Sequence, residues 1–224
     1  VTTIDAAGTV ALTATPSLQD VQVRKLSLDL RHMRPLFPQV PPVDGVLSLQ
    51  GVVANAGRDR IEMPAIAARW VDAEGHTSMA RGTVRVLAEG RSSRVQTAVH
   101  VDSLDLRAVA RIDTSLRIAS VLTGDLSAEG TLDSLTWRVS AGPLDAPPIR
   151  AEGVMAQRDS TWRLTSRWSG DNADLRAWTA RADVPHTALT GTVDMSAVGT
   201  RAAGSLRLRE AAIQMQLAQQ DGPA

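Results

Sequence analysis

The residues of this 224-residue chain that could do chemistry are few and dispersed. Its four histidines, His32, His76, His100 and His186, stand far apart, without His-x-x-x-His spacing or paired carboxylates beside them. An imidazole-based metal centre is therefore not expected. Asp171, Asp174 and Asp183 lack the alternate-position spacing and closing Glu of a calcium loop, so they read as a solvated turn. Gly90-Arg91-Ser92-Ser93 and Thr77-Ser78 do not form the Gly-x-Ser-x-Gly elbow of a serine hydrolase. There is no Gly-x-x-x-x-Gly-Lys and no Gly-x-Gly-x-x-Gly to cradle phosphates. Cysteine is absent, which removes thiolate nucleophiles, thiolate metal sites and disulfides. The expectation is a chain without catalytic residues, cofactor or metal, and not an enzyme.

Composition points away from other polar partners. Lys plus Arg and Asp plus Glu both total 24, so the basic surplus of a nucleic-acid binder is missing. Apolar residues make up 43 %, but there are only five Trp, one Phe and no Tyr. Ala, Val and Leu must therefore carry the burial, which suits a smooth aliphatic surface better than a sugar or nucleotide site. No apolar run approaches the roughly 18 to 20 residues needed to span a bilayer. The sequence reads as part of a longer protein, with any membrane anchor outside it.

The elements that position these residues show a recurrence. Val43-Asp44-Gly45-Val46-Leu47-Ser48-Leu49-Gln50-Gly51-Val52-Val53 alternates apolar and polar residues between two glycines. It returns as Leu122-Thr123-Gly124-Asp125-Leu126-Ser127-Ala128-Glu129-Gly130-Thr131-Leu132, and more loosely over 189–199. The leading glycines, Gly45, Gly124 and Gly191, are 79 and 67 residues apart. An Asp-Leu-Arg triplet begins at Asp29, Asp105 and Asp174, which lie 16, 19 and 17 residues before those glycines. Two landmarks keeping order and spacing indicate one repeat array over 1–224, with approximate units 20–103, 104–172 and an incomplete 173–224.

Period-2 alternation predicts further strands over 8–15, 20–30, 61–71, 82–89, 93–101, 135–141, 149–157, 161–168, 204–209 and 211–218. Val21 and Val23 share one parity while Leu26, Leu28 and Leu30 share the other, which predicts a bulge or break at Arg24-Lys25. A single helical turn is expected after Asp29, and one or two turns within 107–122. The fold class is all-β: an elongated, curled sheet of short, mainly antiparallel strands with a hydrophobic inner face and short helical turns between repeats. About 12 strands stacked at about 4.8 Å would span roughly 55 to 60 Å.

A sheet that extends strand by strand cannot hide its aliphatic side as a closed barrel does, and curling leaves an apolar trough. Leu47, Leu49, Val53, Val95, Val99, Leu126, Ala128, Leu132, Trp137, Val139, Trp162, Leu164, Val193 and Met195 are predicted to line it. Ser48, Gln50 and Val52 are predicted to face out, and Trp162 and Trp168 to share a face. Burial is worth about 0.8 kcal/mol per methylene, so a 16-carbon acyl chain could gain on the order of 12 kcal/mol without any polar motif.

The segments Leu-Asp-Leu-Arg-Ala-Val at 104–109 and Leu-Thr-Gly-Asp-Leu-Ser-Ala-Glu-Gly-Thr-Leu at 122–132 resemble the repeats of TamB/AsmA-like (translocation and assembly module) proteins of diderm bacteria. The likeness extends over nearly the whole chain in three copies. The third departs from it, with Ala197 where a second glycine is expected. The resemblance implies a periplasmic β-taco anchored to the inner membrane by a segment outside this chain. Its hydrophobic groove would conduct phospholipid acyl chains between inner and outer membranes and support outer-membrane biogenesis. It also implies an outer-membrane β-barrel partner, reached through regions outside this chain. The alternative is a structural or adhesive β-solenoid of passenger type. Such arrays repeat at about 20 to 30 residues, shorter than the spacing here.

Overall fold

The computed structural model describes residues 3–12, 17–33, 44–57, 60–87, 93–110, 119–131, 133–158, 161–180, 182–202 and 205–219. Twelve strands follow one another: β1 (Thr3–Ala11), β2 (Ser17–Asp29), β3 (Val46–Ala56), β4 (Arg60–Val71), β5 (Thr77–Leu87), β6 (Arg94–Asp105), β7 (Val121–Thr131), β8 (Ser134–Pro143), β9 (Ile149–Arg158), β10 (Thr161–Ala173), β11 (Leu189–Ala202) and β12 (Ser205–Gln219). Every strand pairs antiparallel with its neighbours in sequence, so the spatial order is the chain order and β1 and β12 remain open edges. Helical structure among the described residues is confined to a 3-10 turn at Leu30–Met33, α1 (Leu106–Ala110) and α2 (Leu175–Thr179). The fold is all-β, an elongated, curled and open sheet.

Breaks in alternation are absorbed as bulges. The pairing of β2 with β3 shifts between Val23 and Leu26, where the change of parity predicts it. Pro64 lies in another shift, between Met63 and Ile66 of β4, where its missing N–H costs the ladder least. The two strands expected over 204–209 and 211–218 are one strand, β12. Leu208 pairs with Gly199 and Glu210 with Val198, so the parity change there is an extra residue in a continuous strand, not a turn. The first strand starts at Thr3 and stops at Ala11, earlier than expected. Ala11 pairs with Ser17. The expected end of that strand, over 13–15, lies outside the described residues.

The two long edges of the sheet are built differently. On one edge short loops close each hairpin, as between Thr131 and Ser134. On the other, long and short connectors alternate: 30–45, 106–120 and 174–188 are long, 72–76 and 144–148 short. Each long connector begins beside an Asp-Leu-Arg triplet and carries a helical turn, so that turn recurs after every fourth strand.

No second layer covers the sheet among the described residues. No large side chain there is fully buried. The buried residues are small or polar: Ala108, Ala151, Ala173, Ser78, Ser120 and Ser166, with Asp29, Asp72 and Asp105 at strand ends. Hydrophobic stabilisation comes from half-buried aliphatic side chains lying against neighbours in the same sheet.

Candidate functional site

Cross-strand partners in an antiparallel pair present side chains on the same side of a sheet. Followed from strand to strand, the pairings trace four rows without a charged residue. One runs Gly51, Ile66, Gly82, Val99, Leu126, Val139, Ala151, Trp168, Val193, Met215. A second runs from Leu49 through Ala68, Ala80, Val101, Gly124 and Ala141 to Ile149. A third runs from Val84 through Thr97, Ala128, Trp137, Gly153 and Ser166 to Met195 and Ile213. A fourth runs from Val95 through Gly130, Leu135, Met155 and Leu164 to Ala197.

Eleven of the residues expected to line a trough fall on or beside these rows. Leu49, Val95, Val99, Leu126, Ala128, Trp137, Val139, Leu164, Val193 and Met195 are members, and Leu47, between Leu28 and Trp70, extends them. Val53 pairs with Val21 beside the Pro64 bulge, and Trp162 pairs with Gly199 near the far end of β10. Leu132 lies outside the described residues. Leu126, Met155 and Trp168 keep 37 to 40 % of their surface accessible, and Ile213 and Met215 keep 58 and 64 %. This is a continuous apolar face with nothing packed on it among the described residues.

The opposite face carries the charges as cross-strand pairs. Arg85 bonds Glu62 at 2.9 Å, Arg167 bonds Asp194 at 2.8 Å, and Arg138 stands 3.6 Å from Glu152. His100 Nδ1 lies 2.8 Å from Asp125. Such exposed pairs contribute little stability each, but they keep this side wet. A recess of about 980 Å³ opens here rather than over the apolar rows. Arg167 and Ser169 line it, and the intervening Trp168 does not. Small residues flanking the central row, among them Ala65, Ala67, Ala98, Ser127 and Ser140, leave the furrow between taller arginines. Val99, Leu126 and Val139 also border it.

The long-connector edge is fastened by aspartates. Asp105 accepts from the backbone N–H of Arg107 at 3.0 Å and from its Nε at 2.9 Å, and its own N–H donates to Ser78 Oγ at 3.1 Å. Asp29 and Arg31 repeat the first two contacts, at 3.1 and 3.2 Å. Asp174 caps α2 by accepting from the N–H of Arg176, and also takes the N–H of Thr187 and Nδ1 of His186. Asp174 is thus a structural hub, not a merely solvated side chain. Asp72 accepts from the N–H groups of Glu74 and His76 and lies 2.9 Å from His76 Nδ1. Asp72, Glu74 and His76 are the one grouping of potential metal ligands among the described residues. With both Asp72 oxygens already accepting, it is a closed turn. Three of the four histidines therefore sit on an aspartate: the His76 pairing is local, while those of His100 and His186 depend on strand register and a connector that sequence spacing conceals.

These contacts set the acid sensitivity of the edge. The Arg107 guanidinium holds the Asp105 carboxyl below its ordinary range against the opposing effect of burial. Burial raises Asp72 and Asp174, but hydrogen bonds from His76 and His186 and from backbone N–H groups outweigh it and leave both lowered. A folded-state pKa below the unfolded value means the unfolded chain binds more protons. The stability from these groups is complete above the unfolded value of about 3.9 and is lost as pH falls through the lowered folded values. Asp105→Asn should cost about 1 to 3 kcal/mol at neutral pH and flatten the acid limb of a denaturant-midpoint profile between about pH 5 and 2. An unchanged midpoint in that variant would remove Asp105 as a fastener.

No protein-family model matches the chain, and neither the curated proteins nor the solved structures contain a match.

Proposed function

We propose that the chain is a segment of a periplasmic lipid-conducting protein. Phospholipid acyl chains would lie on the apolar face, on their way between inner and outer membranes. The observation that carries this reading is the set of four charge-free rows, continuous across the sheet and uncovered. A dry surface of that extent on one side and ion pairs on the other call for an apolar occupant on the first side only. The surface is uneven, alternating Gly and Ala with Leu, Met and Trp, so fluid chains fit it without the rigid complementarity that a folded partner needs. The likeness to TamB/AsmA-like repeats gives the envelope setting, and supports a conduit rather than a catalyst.

Photo-crosslinking residues placed at Leu49, Leu126 and Met195 in cells should label phospholipid. Gln50 and Glu129, on the other face, should not. Labelling confined to Gln50 and Glu129 would move the ligand to the charged side, where four arginines and two carboxylates along the recess favour an anionic molecule. Labelling of protein alone at every position would return the reading to a structural or adhesive array.

A further inference from the structure

The apolar face has one aromatic ridge. Trp137 of β8 and Trp168 of β10 are not on adjacent strands, yet their rings meet edge to face with centroids 6.1 Å apart. They do so across β9, where Gly153 is the partner of Trp137 and Ala151 the partner of Trp168. A methyl group on Gly153 would stand 2.7 Å from the Trp137 ring, so only glycine leaves that space. Ala151 is buried at 5 % exposure. Trp168 is oriented by its Nε1–H, which donates to Ser166 Oγ at 3.1 Å, while 37 % of the residue remains accessible. Three strands thus cooperate to bring two indoles into edge contact in the middle of the apolar face.

We infer that this pair is an acyl-chain contact point, a ridge standing between the stretch over β3–β7 and the stretch over β11–β12. This rests on the acyl-chain reading above and adds the residues that position the chain. Indole is the side chain suited to that task. It is broad, its orientation is fixed here by one hydrogen bond and one edge contact, and its flat surface lets alkyl chains slide without an interlocking fit. The remaining tryptophans have other placements. Trp70 Nε1 donates to the Asp44 carbonyl at 3.0 Å beside the connector edge, Trp162 pairs with Gly199 near the far end of β10, and Trp178 lies on α2.

Indole fluorescence tests this directly. Vesicles of phosphatidylcholine carrying 9,10-dibromo acyl chains quench tryptophans in contact with the chains, and unbrominated vesicles serve as reference. The wild-type protein should be quenched. Trp168→Phe and Trp137→Phe should together remove more than half of the quenchable signal, while Trp70→Phe and Trp178→Phe leave it nearly unchanged. Circular dichroism would confirm that each variant keeps its sheet. Quenching that survives in Trp137→Phe/Trp168→Phe and disappears in Trp70→Phe or Trp162→Phe overturns the ridge but leaves the lipid reading standing. Absence of quenching in wild type, with no lipid crosslinked at Leu126, overturns both.

Discussion

Gly45→Ala lowers the free energy of unfolding by about 3 kcal/mol or more. Two costs coincide there. Gly45 has φ +105°, a conformation that L side chains rarely adopt. The added methyl would also stand 2.7 Å from the Asp72 Cα and closer still to the Val71 carbonyl. The site closes the first long connector, since the Leu30 N–H donates to the Gly45 carbonyl at 3.0 Å. Gly75 is the control. Its φ is +89°, but nothing lies within 4 Å of an added methyl, so Gly75→Ala should cost only about 1 kcal/mol. Urea titrations of the two variants separate the terms. Equal losses would show that crowding by β4 is not what fixes glycine at 45.

Leu126→Glu should abolish lipid retention while sparing the fold. Leu126 is 38 % exposed in the central apolar row, so a glutamate there reaches water in the empty protein. Under a layer of acyl chains the same carboxylate would lose its hydration, a penalty of several kcal/mol. Each 1.4 kcal/mol is tenfold in occupancy, so co-purified phospholipid, measured by mass spectrometry, should fall at least tenfold. Ser127→Glu places the charge one residue away on the opposite side and should have no such effect. The reverse outcome, with Ser127→Glu losing lipid and Leu126→Glu retaining it, assigns the ligand to the charged recess.

Alternation is a local property, which is why strands, their one-sidedness and the β2 bulge can be read from residue order alone. The change of parity near Glu210 carries the same kind of signal as that at Arg24-Lys25, yet the residues on either side of it read as two strands, 204–209 and 211–218. Parity shows that a strand is interrupted, not whether the interruption bends the chain back. The Asp-Leu-Arg triplets are conspicuous as repeats, but their work as caps depends on which backbone N–H groups the connector leaves unsatisfied. Side-chain partnerships across strands were the least accessible. His100 finds Asp125, and Trp168, on the same face as Trp162, finds Trp137 two strands away. Both depend on register, which hairpin lengths and bulges fix together. The furrow on the charged side escaped notice for a related reason: it arises from small residues on many strands that become neighbours only after pairing.

The unbroken order of β1 to β12 also bears on how the chain comes to be folded. Each strand pairs with its predecessor, and among the described residues no strand pairing skips a neighbour. The loops to be closed are local at every step, the long connectors included, which favours fast assembly. The sheet can nucleate at any hairpin and lengthen by addition at either end, as in a one-dimensional array. Loss of structure should therefore begin at the outermost strands and advance inward. Hydrogen exchange should show protection rising from β1 and β12 toward the middle of the stack, rather than a single all-or-none value.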